Sequence, residues 1–411
     1  VPAAPRSLFV AGFDSGLKLA ERFAAAFEEA GGEATIAAPT TGTPHQLSPA
    51  QVDAITARPV RFLPWEEILR LARDSDAVVP IYDGSRIEQF ITELRALPGP
   101  DRLPVIGTAY VGMVLYNNVH GYIWRSLGDV LAVNSRGDLR EFTEVATALG
   151  LPTDNLLLTG LPLLPASPAP QRPGPIRRVL FADQPTVPAL PAERAYLYDR
   201  LADYARRHPD REVFLRPRHR PDEATFHEMT YSPAVHFGRV PAPTNLRIDY
   251  TAIADRLPST DLVLSVSSTA ILEALAAGCR VAFVADFFGE TFLNSRFARS
   301  GLLRTFDALE ADDIGVPDPQ WLDDVFPSAT TSPAATFAAR MLELVSSVDR
   351  PHERAWAHPF HENRRRIAGG VRERSVALAG SPLWRAGRAA ARPLPAPLRR
   401  GLGTLARRLR L

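Results

Sequence analysis

The sequence predicts an α/β protein of two Rossmann-like halves, each a mainly parallel sheet with helices on both faces, joined by a proline-rich segment. Three observations predict it. Short apolar runs alternate with amphipathic stretches from residue 7 onward, the pattern of repeated strand–helix units. The stretch LPLLPASPAPQRPGPIRR interrupts that alternation around residues 163–177, with many prolines and no periodic signal. The alternation then restarts, and 411 residues are too many for one ordinary core. The expected boundaries are 1–162 for the first half, 163–177 for the linker and 178–350 for the second half, followed by terminal helices over 351–380 and a basic tail over 381–411.

The elements follow in order. SLFVAG (Ser7 to Gly12) is a short apolar strand ending in glycine. GLKLAERFAAAFEEAGG is a helix, with Leu17, Leu19, Ala20, Phe23 and Phe27 near helical spacing and Gly31 and Gly32 closing it. EATIAA, DAVVPIY, LPVIGTA and DVLAVNS read as strands, separated by the helices WEEILRLARDS and SRIEQFITELRAL; LREFTEVATALG is a further helix and NLLLTGLPLL ends the half. In the second half RVLFA, EVFLR, DLVLSV and RVAFVAD read as strands, and AVHFG as another. AERAYLYDRLADYARRH, DYTAIADRL and STAILEALAAG read as helices.

Bulk properties exclude several classes. Hydrophobic residues are 45% and charged residues 23%, ordinary for a globular chain. The net charge of +1 provides no global field for nucleic acid, so no nucleic-acid partner is expected. Lys18 is the only lysine, which reads as the codon usage of a GC-rich genome. Cys279 is the only cysteine, so neither an internal disulfide nor a cysteine zinc cluster is expected. No apolar run is long enough for a signal peptide or a membrane span, and the expected location is cytoplasmic. From Trp384 to Leu411 there are eight arginines and no acids, with Leu402, Leu405 and Leu409 on one helix face. That stretch reads as a peripheral anchor on the anionic inner face of the membrane, or as a solvated basic tail.

Five segments carry candidate chemistry, the tail being one. The strongest is STDLVLSVSSTAILEALAAGCRVAFVADFFGE: strand, hydroxyl-rich turn, helix, strand. Ser267, Ser268 and Thr269 stand where the helix begins, so its amides and dipole would attract a phosphate. Glu273 lies one turn further in, placed to accept from ribose hydroxyls; the plain reading of the cluster is a helix cap. In EVFLRPRHRPDEATFHEM, Pro217 and Pro221 hold the residues before them extended. Arg216, Arg218 and Arg220 then share a side and make a cationic rail suited to a diphosphate or an anionic sugar. In LFADQPTVP, Asp183 and Gln184 follow a strand end that faces the expected cleft. In VAGFDSGLK, Asp14 follows the first strand. Group transfer to a hydroxyl needs a general base, and Asp14, Asp83 in PIYDGSR and His120 in NNVHGY are the candidates. Each is equally a cap or turn residue by position. Neither a G-x-G-x-x-G fingerprint nor a Walker P-loop occurs.

The SS…EA…G…V element in Ser267 to Val281 resembles the nucleotide-binding element of bacterial GT-B glycosyltransferases. Its pattern is similar to that of CDP-glycerol glycerophosphotransferases, bacterial polysialyltransferases and capsular Kdo transferases. Over residues 7–375, through FDSGLKLAERF, NSRGDLREFTEVATALGL, LPLLP, LFADQPTVP and FHE, the chain also resembles a family of bacterial glycosyltransferases of that fold. The resemblance implies a GT-B fold with a central cleft, a nucleotide-activated donor of a sugar, phosphosugar or polyol phosphate on the second half, an acceptor and a base on the first, and a nucleotide-contacting role for Asp183 and Gln184. CMP- or CDP-linked donors follow from the same relatives, and the acceptor is expected to be a cell-envelope, capsular or lipid-linked glycan. Those transferases hold the nucleotide phosphate with a His-Pro pair; here it is interrupted as His219-Arg220-Pro221, which leaves the role of His219 open, with His227 and Glu228 an alternative polar pair. No cofactor is expected, and no metal, because arginines and a helix N-terminus can neutralise a leaving phosphate. The rival readings are a sugar-nucleotide epimerase of the same fold and a non-catalytic nucleotide- or glycan-binding protein.

Overall fold

The computed structural model describes residues 3–40, 47–99, 102–114, 118–218, 220, 229, 231–287, 295–327 and 330–367. Its first strands are β1 (Arg6–Ala11), β2 (Glu33–Pro39), β3 (Val60–Leu63), β4 (Ala77–Ile81), β5 (Val105–Ala109), β6 (Val130–Val133) and β7 (Leu156–Leu158). They form one seven-stranded sheet in the order β3-β2-β1-β4-β5-β6-β7, parallel throughout. The next are β8 (Arg178–Ala182), β9 (Glu212–Arg216), β10 (Leu246–Ile248), β11 (Leu262–Ser265), β12 (Arg280–Val284) and β13 (Leu303–Arg304). They form a six-stranded parallel sheet in the order β10-β9-β8-β11-β12-β13. Strands such as β4, β5 and β6 are buried along their whole length, which explains why they are continuous apolar runs and not alternating ones.

Each sheet reverses its winding beside its first strand, between β1 and β4 in one half and between β8 and β11 in the other. Open α/β sheets hold ligands in the crevice at such switch points, beyond the carboxyl ends of the strands. Ala11 of β1 pairs in register with Ile81 of β4, so Asp14 and Asp83 leave the sheet at the same edge. Val263 and Leu264 of β11 pair with Leu180 and Phe181 of β8, which brings Gln184 and Ser267 to the corresponding edge of the second sheet.

Two expectations about elements are corrected. AVHFG is not a strand: Pro233–Phe237 is a short helix, with Ser232 Oγ accepting from the Val235 amide at 3.3 Å. Proline in the first helical turn loses no hydrogen bond, and serine before it caps the turn; the edge strand of this sheet is Leu246–Ile248 instead. The span 178–350 does not stay with the second sheet. The helix Pro333–Ser346 crosses back, and its Ala334, Phe337, Ala338, Met341 and Leu344 lie in the core of the first half. Phe337 stacks on Phe23 with ring centroids 4.3 Å apart. Gly107 of β5 leaves room for it, since a Cβ there would stand 2.5 Å from the Phe337 ring.

The proline-rich segment is tied to the second half. Arg172 donates to the carbonyls of Leu257 and Thr260 (both 2.9 Å) and of Ala277 (2.6 Å). Gly278, at φ +78, lets the Pro170 carbonyl approach; a Cβ would meet it at 2.6 Å. Residues 1–355 form one compact unit, and a second begins at Trp356. Within the second, 359–367 is helical and the Arg365 guanidinium lies 3.8 Å from the Trp356 ring centroid. Among the described residues no helix is long and apolar enough to cross a membrane. The basic tail with Leu402, Leu405 and Leu409 lies outside the described residues, as do His219, His227 and Glu228.

Candidate active site

The helix Asp14–Glu29 begins just past β1. Asp14, Lys18 and Arg22 follow at intervals of four, which stacks them on one helix face. Across the cleft, Arg218 Nη2 donates to Asp14 Oδ1 at 3.3 Å and to Ser15 Oγ at 3.4 Å. Arg216, at the end of β9, donates from Nε to the Thr251 carbonyl at 2.9 Å. Its burial draws the guanidinium pKa down, and the nearby Glu273 and Asp249 carboxylates oppose that. Asp249 is itself paired with Arg256, Oδ2 to Nε at 2.5 Å. Burial pushes the Glu273 carboxyl above its usual range, against the pull of Lys18, Arg216 and Arg22. Lys18, Arg22, Arg216 and Arg218 therefore converge from both halves on two carboxylates, Asp14 and Glu273. With Asp249 neutralised by Arg256, the four cations outnumber Asp14 and Glu273 and leave a net positive cleft, the electrostatics a phosphate-bearing ligand requires.

Only Ser268 of the hydroxyl cluster hydrogen-bonds to an amide of the helix start among the described contacts. The helix runs Ala270–Ala276, and Ser268 Oγ accepts from the Ala270 amide at 3.2 Å. Ser267 is buried, and its amide and hydroxyl donate to Gln184 Oε1 at 2.9 and 3.3 Å. Gln184 thus clamps the turn after β8 to the turn after β11. Gly112 of the first half comes up against Thr269, where a Cβ would sit 3.0 Å from Oγ1.

Asp183 does not face the cleft. Its carboxylate is fully buried and accepts from Arg194 Nη2 (2.7 Å to Oδ2), the Tyr198 hydroxyl (2.9 Å) and the Gln184 amide (2.8 Å). Arg194 also donates to the Gln184 carbonyl at 2.6 Å and the Tyr231 carbonyl at 2.7 Å. A buried guanidinium requires a counter-charge and several acceptors, so Asp183 turns inward and holds the loop that presents Gln184. A signal for this was present: Arg194 shares the buried stripe of its helix with Leu197, Tyr198 and Leu201. The arginine rail also diverges, because Arg216 binds Thr251, Arg218 reaches the first half and the Arg220 guanidinium lies 5.2 Å from the Tyr250 ring centroid.

Of the other base candidates, Asp83 caps the helix Gly84–Ala96, Oδ1 accepting from the Arg86 amide at 3.1 Å and from Ser85 Oγ at 2.8 Å. His120 is exposed on the helix Asn118–Arg125, its ring 5.8 Å from that of Trp124.

The chain matches, over residues 7–344, the model of the family described as "Putative glycosyltransferase (DUF6716)". The chain belongs to this glycosyltransferase family. No curated protein matches it in sequence. Among solved structures it is similar to one described as a "putative UDP-N-acetylglucosamine 2-epimerase from Listeria monocytogenes" (TM-score 0.55, 12% identity, covering 85% of this chain and 98% of that one). It is likewise similar to the UDP-GlcNAc 2-epimerase of Neisseria meningitidis bound to UDP-GlcNAc (TM-score 0.52, 9% identity, 83% and 99%). Arabidopsis thaliana UGT89C1 complexed with UDP-L-rhamnose aligns at TM-score 0.46 and 13% identity, over 88% and 99%. With its two parallel α/β sheets, this family member has a GT-B-like fold.

Three features of the family member's structure escaped the sequence reading. Lys18 and Arg22 had a usable signal in their four-residue spacing from Asp14. The third, a junction between the halves around Arg296, had none. Arg296 Nε donates to the Val114 carbonyl (3.1 Å), and its Nη2 lies 2.7 Å from Glu141 and 3.0 Å from Asp138. The Gly137 amide donates to Asp324 Oδ1 at 2.6 Å. Beside this junction is a cavity of about 870 Å³ lined by Arg140, Glu144, Arg299 and Asp323 among others, and it shares no residue with the Asp14–Arg218–Glu273 cluster.

Proposed function

We propose that this chain transfers a sugar from a nucleoside diphosphate donor to a hydroxyl of a glycan, with the donor on the second half and the acceptor on the first. The observation that carries the proposal is the convergence of Lys18, Arg22, Arg216 and Arg218 on Glu273 and Asp14 between the two switch points. Arg216 and Arg218 bind the diphosphate, Ser268 and Thr269 add hydroxyl donors, and Glu273 accepts from the ribose. The acceptor oxygen attacks the anomeric carbon as the bond from that carbon to the phosphate oxygen breaks. Asp14 takes the acceptor proton, and the arginines hold the charge that develops on the leaving diphosphate. Asp83 and His120 are the alternative bases. Charge neutralisation by arginine makes transfer independent of a divalent metal in this reading. The acceptor class, a cell-envelope or capsular glycan, rests on resemblance to transferases that build such polymers.

The test is a thermal-shift screen with CDP, UDP, GDP, ADP and CMP on the parent chain and on Arg216→Ala and Glu273→Ala. A ligand that binds only the folded state raises the melting temperature. One diphosphate is expected to raise it, with the shift lost in both variants: cytidine if the sequence relatives guide the donor, uridine if the site resembles that of the Neisseria epimerase bound to UDP-GlcNAc. No shift with any nucleotide would overturn the proposal. Turnover of a UDP-sugar without any acceptor would favour the epimerase reading.

A further inference from the structure

We infer that Trp124 is a platform on which a neutral pyranose ring of the acceptor stacks, with Asp83 and His120 binding hydroxyls at its rim. The inference rests on the glycosyltransferase reading and adds the class of acceptor and the residue that selects it. Asp83 leaves the first sheet at the same edge as Asp14, because Ile81 and Ala11 are in register. Gly84, next along, lies directly against the indole: a Cβ there would stand 2.1 Å from Trp124 Cε3, so any larger residue would lift the ring. Trp124 remains partly exposed, while Asp83 and His120 are exposed. The His120 ring lies 5.8 Å from the indole at 40°.

The platform is also fixed in place. The buried Arg125, next in the chain, donates to the carbonyls of Ala109 (3.1 Å), Gly121 (3.1 Å) and Tyr82 (3.4 Å), tying the helix that carries Trp124 to the ends of β4 and β5. A sugar ring has an apolar C–H face and hydroxyls at its edge. A partly exposed indole flanked by a carboxylate and an imidazole matches both. An acyl chain would match the indole alone and would strip water from Asp83 and His120 without replacing it.

The experiment is saturation-transfer NMR of the full chain with a panel of short neutral and N-acetylated oligosaccharides, alongside the nucleotide thermal shift. The parent chain is expected to transfer saturation to ring protons of at least one sugar. Trp124→Ala is expected to weaken that binding about ten-fold, Trp124→Phe to restore part of it, and both to keep the nucleotide shift. Equal sugar binding by Trp124→Ala overturns the inference, and so does a parent chain that binds nucleotide but none of the sugars. Absence of any nucleotide shift would instead remove the glycosyltransferase reading beneath it.

Discussion

Arg218 and Asp14 face each other across the cleft, Nη2 to Oδ1 at 3.3 Å, one from each half. The proposed phosphate ligand and the proposed base therefore neutralise each other when no donor is present. Under the proposed function, a donor phosphate would compete for Arg218 and so release the Asp14 carboxylate for the acceptor proton, which predicts donor binding before acceptor activation.

Asp14→Asn removes the competitor and the base together. Nucleotide affinity is expected to rise about two- to five-fold, the range of an exposed ion pair, while transfer falls by about 10²–10⁴. Isothermal titration and a transfer assay on the same preparation check both. Unchanged affinity would show that the pair does not oppose donor binding.

Asp183→Ala leaves the Arg194 guanidinium buried without its counter-charge. Breaking such a pair costs about 3–5 kcal/mol. Urea unfolding measures it, and replacing both residues with apolar ones of similar volume is expected to recover most of the loss. A cost below about 1 kcal/mol would mean that water reaches the site.

Asp138 carries a pH dependence. Burial raises its carboxyl pKa to about 6, with Arg296 and Ser135 opposing the rise. The folded state thus holds the proton more tightly than the unfolded chain. The associated stabilisation is complete below the unfolded value near 4 and is lost as pH rises towards 6. Asp138→Asn, which cannot ionise, is expected to match the parent near pH 4 and to exceed it above pH 6, by about 2–3 kcal/mol. Melting temperatures of the two proteins from pH 4 to 8 test this; parallel curves would show that Asp138 does not titrate in that range.

Phe337→Ala, in the helix that crosses back, opens a cavity against Phe23 and costs about 3–5 kcal/mol. Hydrogen exchange is expected to rise in β1 and β5 of the first half while β8 and β11 keep their protection. Loss confined to the second half would contradict the packing.

Most of the alternation was legible because those strands and helices announce themselves locally, whereas the short edge strands β3, β10 and β13 did not. The run LFVA of β1, the buried VVPI of β4 and the amphipathic face of Asp14–Glu29 depend only on neighbouring residues. AVHFG misled because its apolar content outweighed Ser232 and Pro233, the start signals of a helix. Asp183 misled because a strand-end position does not say which way a carboxylate turns; the buried Arg194 eleven residues later decides that.

By itself, then, the sequence determined that the chain folds as two parallel α/β sheets, because periodicity and turn chemistry act within a few residues. Only the tertiary structure decided the partners. Arg218 meets Asp14 from 204 residues away, and Phe337 packs on Phe23 in a core to which its position in the chain does not assign it. Such contacts arise when two sheets and a returning helix bury their apolar faces together, and no local pattern encodes which charges that burial brings face to face.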